Sequence, residues 1–484
     1  MLRSICTSIL TPVLRLYDTR LRSVVDISAA NGKDLTIYAC GPTVYRFAHV
    51  GNLRTFLLTD LITRAAALEG LGVRLVQNIT DVGHMLDDTG LGGAGEADEG
   101  QGDTEDKVLS QAASENKSAL EIAVFYEDAF HQDLARLNIT PAQVYPRASQ
   151  SIDLMLDLIQ KLLDSGNAYV GNDGSVFFSA QSCVDYGAIS GNRLDALRPG
   201  HRFDGDPDPN KKFHADWALW KSAPETRTQL VWDTPWGRGF PGWHTECSAM
   251  SLHHLGDIID VHTGGIDLRF PHHEDERAQS NSVAGHDVVK HWVHAEHLLF
   301  EGRKMSKSTG NVVLLEDVIA RGIDPLALRL AFMSLRYRTQ LDLTWSSISA
   351  ADSTLRRWRE KAQIFDPTVE VPAEQMASFK AAVLDDLDTP RALQVVRDLE
   401  KDSTISDLQT AAFLRWADAF LGLDLERAVE VVQIPQEVEQ LLIDRATARA
   451  NKEWQLSDQI RDQITELGWS IKDSADGQTA EPIR

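Results

Sequence analysis

The pattern of hydrophobic and polar positions predicts a strand, a helix and a second strand near the start of the chain. Residues 34–40, DLTIYAC, are rich in strand formers and stop at the turn signal Gly-Pro. Residues 53–72 have apolar side chains at helical spacing and end at a glycine, and residues 73–80, VRLVQNIT, again favour a strand. Such a βαβ unit indicates a parallel sheet.

The same pattern predicts that this first domain is split by an inserted lobe. A helical stretch near residues 151–163 and two short strands are followed by an irregular segment, 199–217, that is rich in Pro, Gly and Asp. Apolar runs at 257–265 and 288–300 return to the sheet. From residue 324 onward the pattern is almost wholly helical.

Composition places the chain among ordinary globular proteins of two to four domains. It has 484 residues, 43% of them hydrophobic and 25% charged, with a mean hydropathy of -0.24. No apolar run approaches the roughly 20 residues that a membrane span needs, so we expect no membrane partner. The short N-terminal apolar run is broken by Pro12, which argues against a secretory signal and favours a cytoplasmic protein.

Charge and cysteine content narrow the possible partners. The net charge of -23 opposes loose binding to nucleic acid, so an RNA partner must meet local basic patches. Residues 87–106 hold eight of the acidic residues and several glycines, which predicts a solvated loop. The cysteines at positions 6, 40, 183 and 247 include no close pair and do not form a disulfide scaffold.

Two segments are candidates for phosphate binding. At the end of the first strand, Gly51 would let a ligand approach the backbone, the helix N-terminus near Asn52 would offer N–H groups, and His49 would donate to a phosphoryl group. In residues 301–311, EGRKMSKSTGN, Lys304 and Lys307 could neutralise a triphosphate. A simple capped turn and a solvated lysine loop are the alternatives.

Cys247 is a candidate metal ligand. His272 and Glu276 are four residues apart and can share a helix face, and Cys40 could add a second sulfur. Because no compact Cys-x-x-Cys spacing is present, a small buried thiol is the alternative. The competing ligands that spacing does not exclude are His273, His262 and Cys183.

Longer motifs follow one another in the order of the cysteinyl-tRNA synthetase family, which the chain resembles over nearly its whole length. HVGN at residues 49–52 stands in the place of the HIGH tetrapeptide of Rossmann-type synthetases. Several long motifs in one order are far more specific than any single one. The matching stretches are YACGPTVYRFAHVGNLRT, NITDVGHMLDD, FPGWHTECSAM, DVHTGGIDLRFPHHEDERAQS, GRKMSKSTGN, RYRTQLDLT and DDLDTPRAL.

The resemblance implies a role for each matched residue. The implied ligands of one Zn²⁺ per chain are Cys40, Cys247, His272 and Glu276. The residues implied in catalysis are His49, Asn52, Lys304 and Lys307. Those implied in ATP binding are His49, Gly51, Asn52, Asp267, Lys304, Met305, Ser306, Lys307 and Ser308. Those implied in amino-acid binding are Cys40, Thr43, Trp243 and His262.

The resemblance also implies a fold, a reaction and partners. The fold would be α/β, with a Rossmann-type doubly wound parallel sheet, an inserted α/β lobe and a mostly helical C-terminal region. ATP with Mg²⁺ would activate L-cysteine as the adenylate, and a monomeric enzyme would pass the cysteinyl group to tRNA(Cys). Zinc would select cysteine over serine, because it binds a thiolate far better than a neutral hydroxyl. A hydrophobic pocket discriminates such near-isosteres poorly.

The implied domains are two halves of a catalytic domain around an inserted lobe, followed by two helical regions. The catalytic halves are residues 1–137 and 231–323, the lobe is 138–230, the stem-contact region is 324–366 and the anticodon-binding domain is 367–484. In the last of these, Arg445, Arg449, Lys452 and Arg461 recur at helical spacing and could form a basic face. Solvated charge is the alternative.

Two other functions fit parts of the sequence. A cysteine ligase of mycothiol biosynthesis would activate cysteine identically and join it to an amino sugar, but such enzymes lack the anticodon-binding tail. A catalytically inactive paralogue would bind only tRNA, nucleotide or zinc. Retention of Cys40, His49, Lys307 and Glu276 argues against that alternative.

Overall fold

The computed structural model describes residues 13–83, 106–197, 209–305, 310–428, 434–474 and 477–482. The predicted acidic loop lies outside the described residues except for Asp106, as do Ser306, Lys307 and Ser308.

Strands and helices alternate in the first two thirds of the chain, and helices dominate the rest. The strands are β1 (Arg15–Asp18), β2 (Ser23–Asp26), β3 (Asp34–Ala39), β4 (Gly72–Gln77), β5 (Ala168–Val170), β6 (Val176–Phe178), β7 (Trp217–Ser222), β8 (Trp232–Thr234), β9 (Gly237–Pro241), β10 (Ile259–Gly265), β11 (Val289–Ala295), β12 (Leu298–Phe300), β13 (Arg303–Lys304), β14 (Leu341–Leu343), β15 (Trp469–Ser474) and β16 (Gly477–Pro482). The helices are α1 (Val50–Leu68), α2 (Lys107–Glu115), α3 (Ala119–Arg136), α4 (Ile152–Asp164), α5 (Trp243–Leu255), α6 (His272–Ala284), α7 (Leu315–Ala320), α8 (Pro325–Phe332), α9 (Trp345–Ala362), α10 (Ala373–Leu384), α11 (Thr389–Leu399), α12 (Asp407–Leu421), α13 (Gln436–Ala450) and α14 (Trp454–Glu466).

A four-stranded parallel sheet, in the order β11-β10-β3-β4, forms the centre of the molecule. Every residue of β10 is buried, as expected for a parallel strand covered on both faces. Helix α1 packs on one face and α5 on the other, so the sheet is doubly wound, as predicted. The chain leaves β3 towards β4 and later returns to β10 on the opposite side. Ligands bind at the carboxyl ends of strands at such a switch point.

The inserted lobe contains a five-stranded antiparallel sheet in the order β5-β6-β7-β9-β8. Helix α4 connects it to the catalytic domain by packing against both β5 and α5. Strand β9 pairs with β7 and β8, so this sheet continues to Pro241, beyond the lobe boundary predicted at residue 230.

Helices α8 to α12 share one hydrophobic core with α1. The buried guanidinium of Arg329 in α8 fastens this region, donating to Asp60 Oδ2 of α1 (2.6 Å) and to the carbonyl of Leu421 in α12 (2.6 Å). The boundary predicted at residue 367 therefore precedes helices that belong to the large core. A separate small core is formed by Val438, Leu442, Ala448, Ile460, Ile464, Trp469 and Ala480.

The terminal module, residues 434–482, does not present the whole predicted basic face. Arg445 is buried and donates to both carboxylate oxygens of Asp473 (2.8 and 3.0 Å). Arg449 donates to the same carboxylate (2.7 Å). The helical spacing of these arginines therefore places both within hydrogen-bonding distance of one aspartate, which connects α13 to β15.

Among all helices of the described residues, none combines the length and apolarity that crossing a membrane requires.

Candidate active site and metal centre

A cavity of about 260 Å³ opens at the carboxyl ends of the central strands. Cys40 directly follows β3, Gly265 ends β10 and Ala295 ends β11, and all three residues line it. The predicted site residues that line this cavity are Cys40, Thr43, His49, Gly51, Asn52, Trp243, Asp267, Lys304 and Met305. The structure therefore brings residues 49–52 and 304–305, which are more than two hundred residues apart, to the lining of one cavity.

The four predicted zinc ligands converge behind the wall of this cavity. One donor atom each of Cys40, Cys247, His272 and Glu276 lies within 4.8 Å of the other three, and all four residues are buried. Cys40 comes from the end of β3 and Cys247 from α5, while His272 and Glu276 share one face of α6. The Nε2 atom of His272 lies 2.9 Å from Glu276 Oε1.

Mutual interactions control ionisation within this cluster. Burial raises the pKa of Glu276, but the neighbouring His272 and His262 outweigh that effect and lower it to about 2. Burial lowers the pKa of His272, but Glu276 and Cys247 raise it to about 10. Burial raises the pKa of Cys247, yet hydrogen bonding to Cys40 and His272 lowers it to about 6. Burial, Cys247 and Glu276 all raise the pKa of Cys40. A metal cation would bind the carboxylate of Glu276, the thiolate of Cys247 and the imidazole of His272 after its proton is released, because only the deprotonated groups are ligands.

A second group of donor atoms overlaps the first. Cys40 and Glu276 are shared with His262 and His273, again with all donor atoms within 4.8 Å. Cys40 Sγ lies 3.3 Å from His273 Nε2, and His262 Nε2 lies 3.0 Å from Glu276 Oε2. The competing ligands His262 and His273 are therefore adjacent to the predicted site, whereas Cys183 belongs to neither group of donors found among the described residues.

The residues present fit a zinc ion. Tetrahedral Zn–S and Zn–N bonds of about 2.0–2.3 Å place the ligand atoms roughly 3–4 Å apart, which the compact predicted set allows. His272 is also oriented from outside: its Nδ1 lies 2.9 Å from His244 Nδ1, and Trp243 stacks on its ring at 4.2 Å. Such support is typical of metal-binding histidines. Because Trp243 and Cys40 line the cavity, the cluster directly adjoins the space for a substrate.

His49 caps helix α1 with its own ring. Its Nδ1 accepts from the backbone N–H groups of Gly51 (3.1 Å) and Asn52 (3.2 Å), while Asn52 Oδ1 accepts from the His49 N–H (3.2 Å). The expectation that the N–H groups near Asn52 are available to phosphate is therefore wrong for these two groups. Because Nδ1 accepts, the neutral ring carries its proton on Nε2 and can donate from that atom.

The ring of His49 explains why position 51 is a glycine, and Gly51 also lines the cavity, where the sequence predicts the approach of a ligand. A Cβ atom at position 51 would lie 2.9 Å from His49 Cε1 and 3.1 Å from the terminal methyl of Met305. Gly265 has a similar function beside Asp267, because a Cβ there would lie 2.3 Å from Asp267 Oδ1. These two glycines position side chains that face the cavity.

Lys304 also lines the cavity. It ends β13, which pairs antiparallel to β12, and its carbonyl accepts from Asn311 Nδ2 (2.9 Å). It adds a cation to the lining that also contains His49, as phosphate binding requires. His262, in contrast, does not line the cavity. It stacks on Trp292 (4.7 Å) behind Glu276.

Sequence reasoning missed Glu296 and His297, which line the cavity between β11 and β12. These two polar residues interrupt the apolar run at 288–300 that the pattern assigns to the sheet. That interruption is the feature of the sequence that could have indicated a turn with polar side chains there. Arg54 in α1 holds this turn, donating to the carbonyls of Glu296 (2.8 Å) and His297 (3.2 Å). Burial lowers the pKa of Arg54 to about 10.

Comparisons with known proteins agree with this geometry. The family model of the tRNA synthetase class I (C) catalytic domain matches residues 26–89 and 100–353, and the model of the cysteinyl-tRNA ligase anticodon-binding domain matches 432–480. The Cysteine--tRNA ligase 1 of Burkholderia lata is 39% identical over 96% of this chain and 96% of its own. The Cysteine--tRNA ligase of Chlamydia caviae is 36% identical over 97% of this chain and 98% of its own.

A solved structure supports the fold alone. The agnB2 LeuRS of Agrobacterium radiobacter K84, in a ternary complex with tRNA and LeuAMS, is similar with a TM-score of 0.57 at 11% identity, over 82% of this chain and 84% of its own. The near full-length relatives, the matched catalytic and anticodon-binding models and the assembled site lead to one conclusion: this chain belongs to the cysteine–tRNA ligase family of class I tRNA synthetases.

Proposed function

We propose that this enzyme joins L-cysteine to tRNA(Cys) in two steps. The carboxylate oxygen of cysteine attacks the α-phosphorus of ATP and releases pyrophosphate. The terminal ribose hydroxyl of the tRNA then attacks the acyl carbon and releases AMP. The observation that carries this proposal is the cavity bounded by His49 and Lys304 on one side and by a buried Cys, Cys, His, Glu cluster behind Cys40 on the other.

The first step uses charge and position more than covalent chemistry. His49 donates from Nε2 to the phosphoryl oxygens, and Lys304 neutralises their negative charge. Asp267 binds the adenosine from the end of β10. Lys307, outside the described residues, is assigned to the leaving pyrophosphate together with Mg²⁺. His49 is oriented before substrate arrives, because the helix cap already holds its ring.

We assign one Zn²⁺ to Cys40, Cys247, His272 and Glu276. Both observed donor groups could hold an ion, but this one offers two sulfurs and adjoins Trp243 in the cavity wall. Bound there, zinc supplies a preference for thiolate sulfur over the hydroxyl of serine. Trp243 positions His272 by stacking, and Thr43 and Trp243 border the space for the amino acid.

The terminal module, residues 434–482, is proposed to bind the anticodon region of the tRNA. Its match to an anticodon-binding model supports this assignment and disfavours the amino-sugar ligase, which lacks such a tail. We place the enzyme in the cytoplasm, where reducing conditions keep the ligand thiols available.

The test separates the two steps. Purified protein should contain about one zinc per chain, and it should exchange pyrophosphate into ATP with cysteine but not with serine. Equal exchange with serine contradicts the metal assignment. Transfer to an amino sugar in place of tRNA(Cys) contradicts the second step, and absence of exchange with either amino acid contradicts the proposed enzyme altogether.

A further inference from the structure

A partly exposed aromatic patch, with two exposed rings and two buried ones, continues out of the cavity mouth. We define it as Tyr45, Phe47, Phe125 and Tyr126. Phe47 is 42% exposed and Phe125 is 47% exposed, unlike most aromatic side chains of a folded domain. Phe47, Tyr45 and Tyr126 also line the cavity, so the patch joins the outer surface to the active site.

The rings of the patch support one another. Phe47 meets Phe125 edge to face at 5.9 Å and Tyr126 at 5.2 Å, and Phe125 meets Tyr126 at 5.0 Å. Tyr126 is anchored, because its hydroxyl donates to Glu115 Oε1 (2.9 Å). Two elements are therefore held together here: the segment before His49 and helix α3. The contacts fix the rings while leaving part of Phe47 and Phe125 exposed.

Cations surround the patch although the whole chain is strongly acidic. Arg46 lies over the ring of Tyr45 at 5.0 Å, and Lys107 lies over the same ring at 5.8 Å. Lys117 lies over Phe125 at 5.2 Å, where it also pairs with Glu115 at 2.7 Å. Arg46 and Lys107 line the cavity, so the positive charge is concentrated on the inward side of the patch.

We propose that the patch binds the single-stranded 3′ end of the tRNA, with a base stacked on Phe125 and Phe47 and the phosphates beside Arg46 and Lys107. Aromatic faces with neighbouring cations are typical of sites for single-stranded nucleic acid. The proposal rests on the proposed function: the terminal ribose must reach the cavity, and the patch extends from that cavity to the surface. Because the strongly acidic chain opposes loose binding to nucleic acid, an RNA must contact local cations, and Arg46 and Lys107 supply them here.

The proposal predicts that Phe125→Ala separates the two steps. Phe125 is exposed and does not line the cavity, so exchange of pyrophosphate should stay at the wild-type level. Single-turnover transfer from preformed adenylate to tRNA(Cys) should fall roughly fivefold or more, or KM for tRNA should rise by that factor, since one stacked base contributes about 1–3 kcal/mol. Phe125→Trp should restore transfer.

Phe365→Ala is the matched control. Phe365 is 37% exposed and has Arg415 over its ring at 5.1 Å, but it lies outside the patch and the cavity. This variant should transfer like the wild type. A tRNA(Cys) with 2-aminopurine at its 3′-terminal nucleotide should lose fluorescence on binding the wild type and Phe365→Ala, and lose much less on binding Phe125→Ala.

Each other outcome overturns the inference. Unchanged transfer and unchanged quenching in Phe125→Ala show that the tRNA end lies elsewhere. A parallel loss of exchange, with a raised KM for ATP, shows that the patch serves the nucleotide. Failure of the proposed function is distinguishable, because the wild-type protein itself would then show no cysteine-dependent exchange.

Discussion

The two ends of the catalytic cavity are built in different ways. At the cluster end, the four donors come from β3, α5 and α6, span positions 40 to 276 and are all buried. At the cap end, His49 and Asn52 are three residues apart, partly exposed and bonded to each other's backbone. The cluster therefore depends on the tertiary fold, whereas the cap depends on local hydrogen bonds at one helix terminus.

This difference determines how each end responds to damage. A helix cap contributes about 1 kcal/mol, so its loss alone leaves the domain folded. A buried donor cluster holds charges and polar atoms out of water, and removing one donor leaves the others without their partner. We therefore expect a substitution at His49 to lower activity without unfolding the domain. A substitution among the four donors should remove both the metal and the selectivity for cysteine.

The largest effect is expected from Cys247→Ser. Replacement of sulfur by oxygen removes a ligand that zinc prefers, so the bound metal should fall from about one per chain to near zero. Cysteine-dependent exchange should fall to background. Metal analysis and exchange assays on the same preparation measure both quantities.

Cys183→Ser is the control for thiol loss. Cys183 is half-buried, and burial beside Asp185 raises the pKa of its thiol to about 12. Because it belongs to neither donor group among the described residues, this variant should keep its zinc and its activity. Full zinc content in Cys247→Ser, or zinc loss in Cys183→Ser, contradicts the ligand assignment.

His49→Asn should give the next largest effect. Asparagine also caps helices well, so stability should change by less than about 0.5 kcal/mol, but the Nε2 donor is lost. Exchange should fall by about 10²–10³-fold, the usual result of removing one donor from a transition-state oxygen.

His49→Ala supplies the comparison within this position. It loses the donor and the cap, so activity should match that of His49→Asn while stability falls by about 1 kcal/mol. Thermal unfolding and exchange rates measure the two losses separately. Near wild-type exchange in His49→Asn would show that the ring serves the helix alone.

The same contrast explains what could be predicted from the sequence. The βαβ unit and the doubly wound sheet follow from apolar runs and turn residues, and the structure confirms both. Spacing also placed His272 and Glu276 on one helix face, since that relation is local. Spacing could not select Cys40 as their partner, because the contact depends on β3 and α6 meeting; only the family resemblance supplied it.

Other features depend on tertiary contacts that leave a weak trace in the sequence. The sequence does not reveal that the ring of His49 excludes a side chain at Gly51, because that ring folds back over the start of the helix. Arg445 was read as a surface cation, although it is buried against Asp473. In each case the residue type was informative, but its partner was set by packing.

The smallest effect on activity is expected from Glu274→Ala, which tests whether the cluster depends on elements outside it. Glu274 lies in α6 between His272 and Glu276, and its Oε2 accepts from the N–H groups of Ile189 (3.0 Å) and Ser190 (2.8 Å). It therefore fastens the inserted lobe to the helix that carries two donors. Its loss should lower stability by about 2 kcal/mol, because buried donors are left unpaired.

Zinc release to a chelator should become about tenfold faster in Glu274→Ala, as for other residues that support metal ligands, while the His49 cap is unaffected. Asp185→Ala is the matched variant: Asp185 contacts Arg277 of the same helix, but its carboxylate is 62% exposed. The buried guanidinium of Arg277 keeps a second partner in Asp287 (3.3 Å) when Asp185 is removed, so zinc release should be unchanged. If both variants release zinc at the wild-type rate, the four donors alone hold the metal. The cluster would then depend less on the surrounding fold than its assembly from the end of β3, α5 and α6 indicates, and its contrast with the local cap at His49 would be weaker.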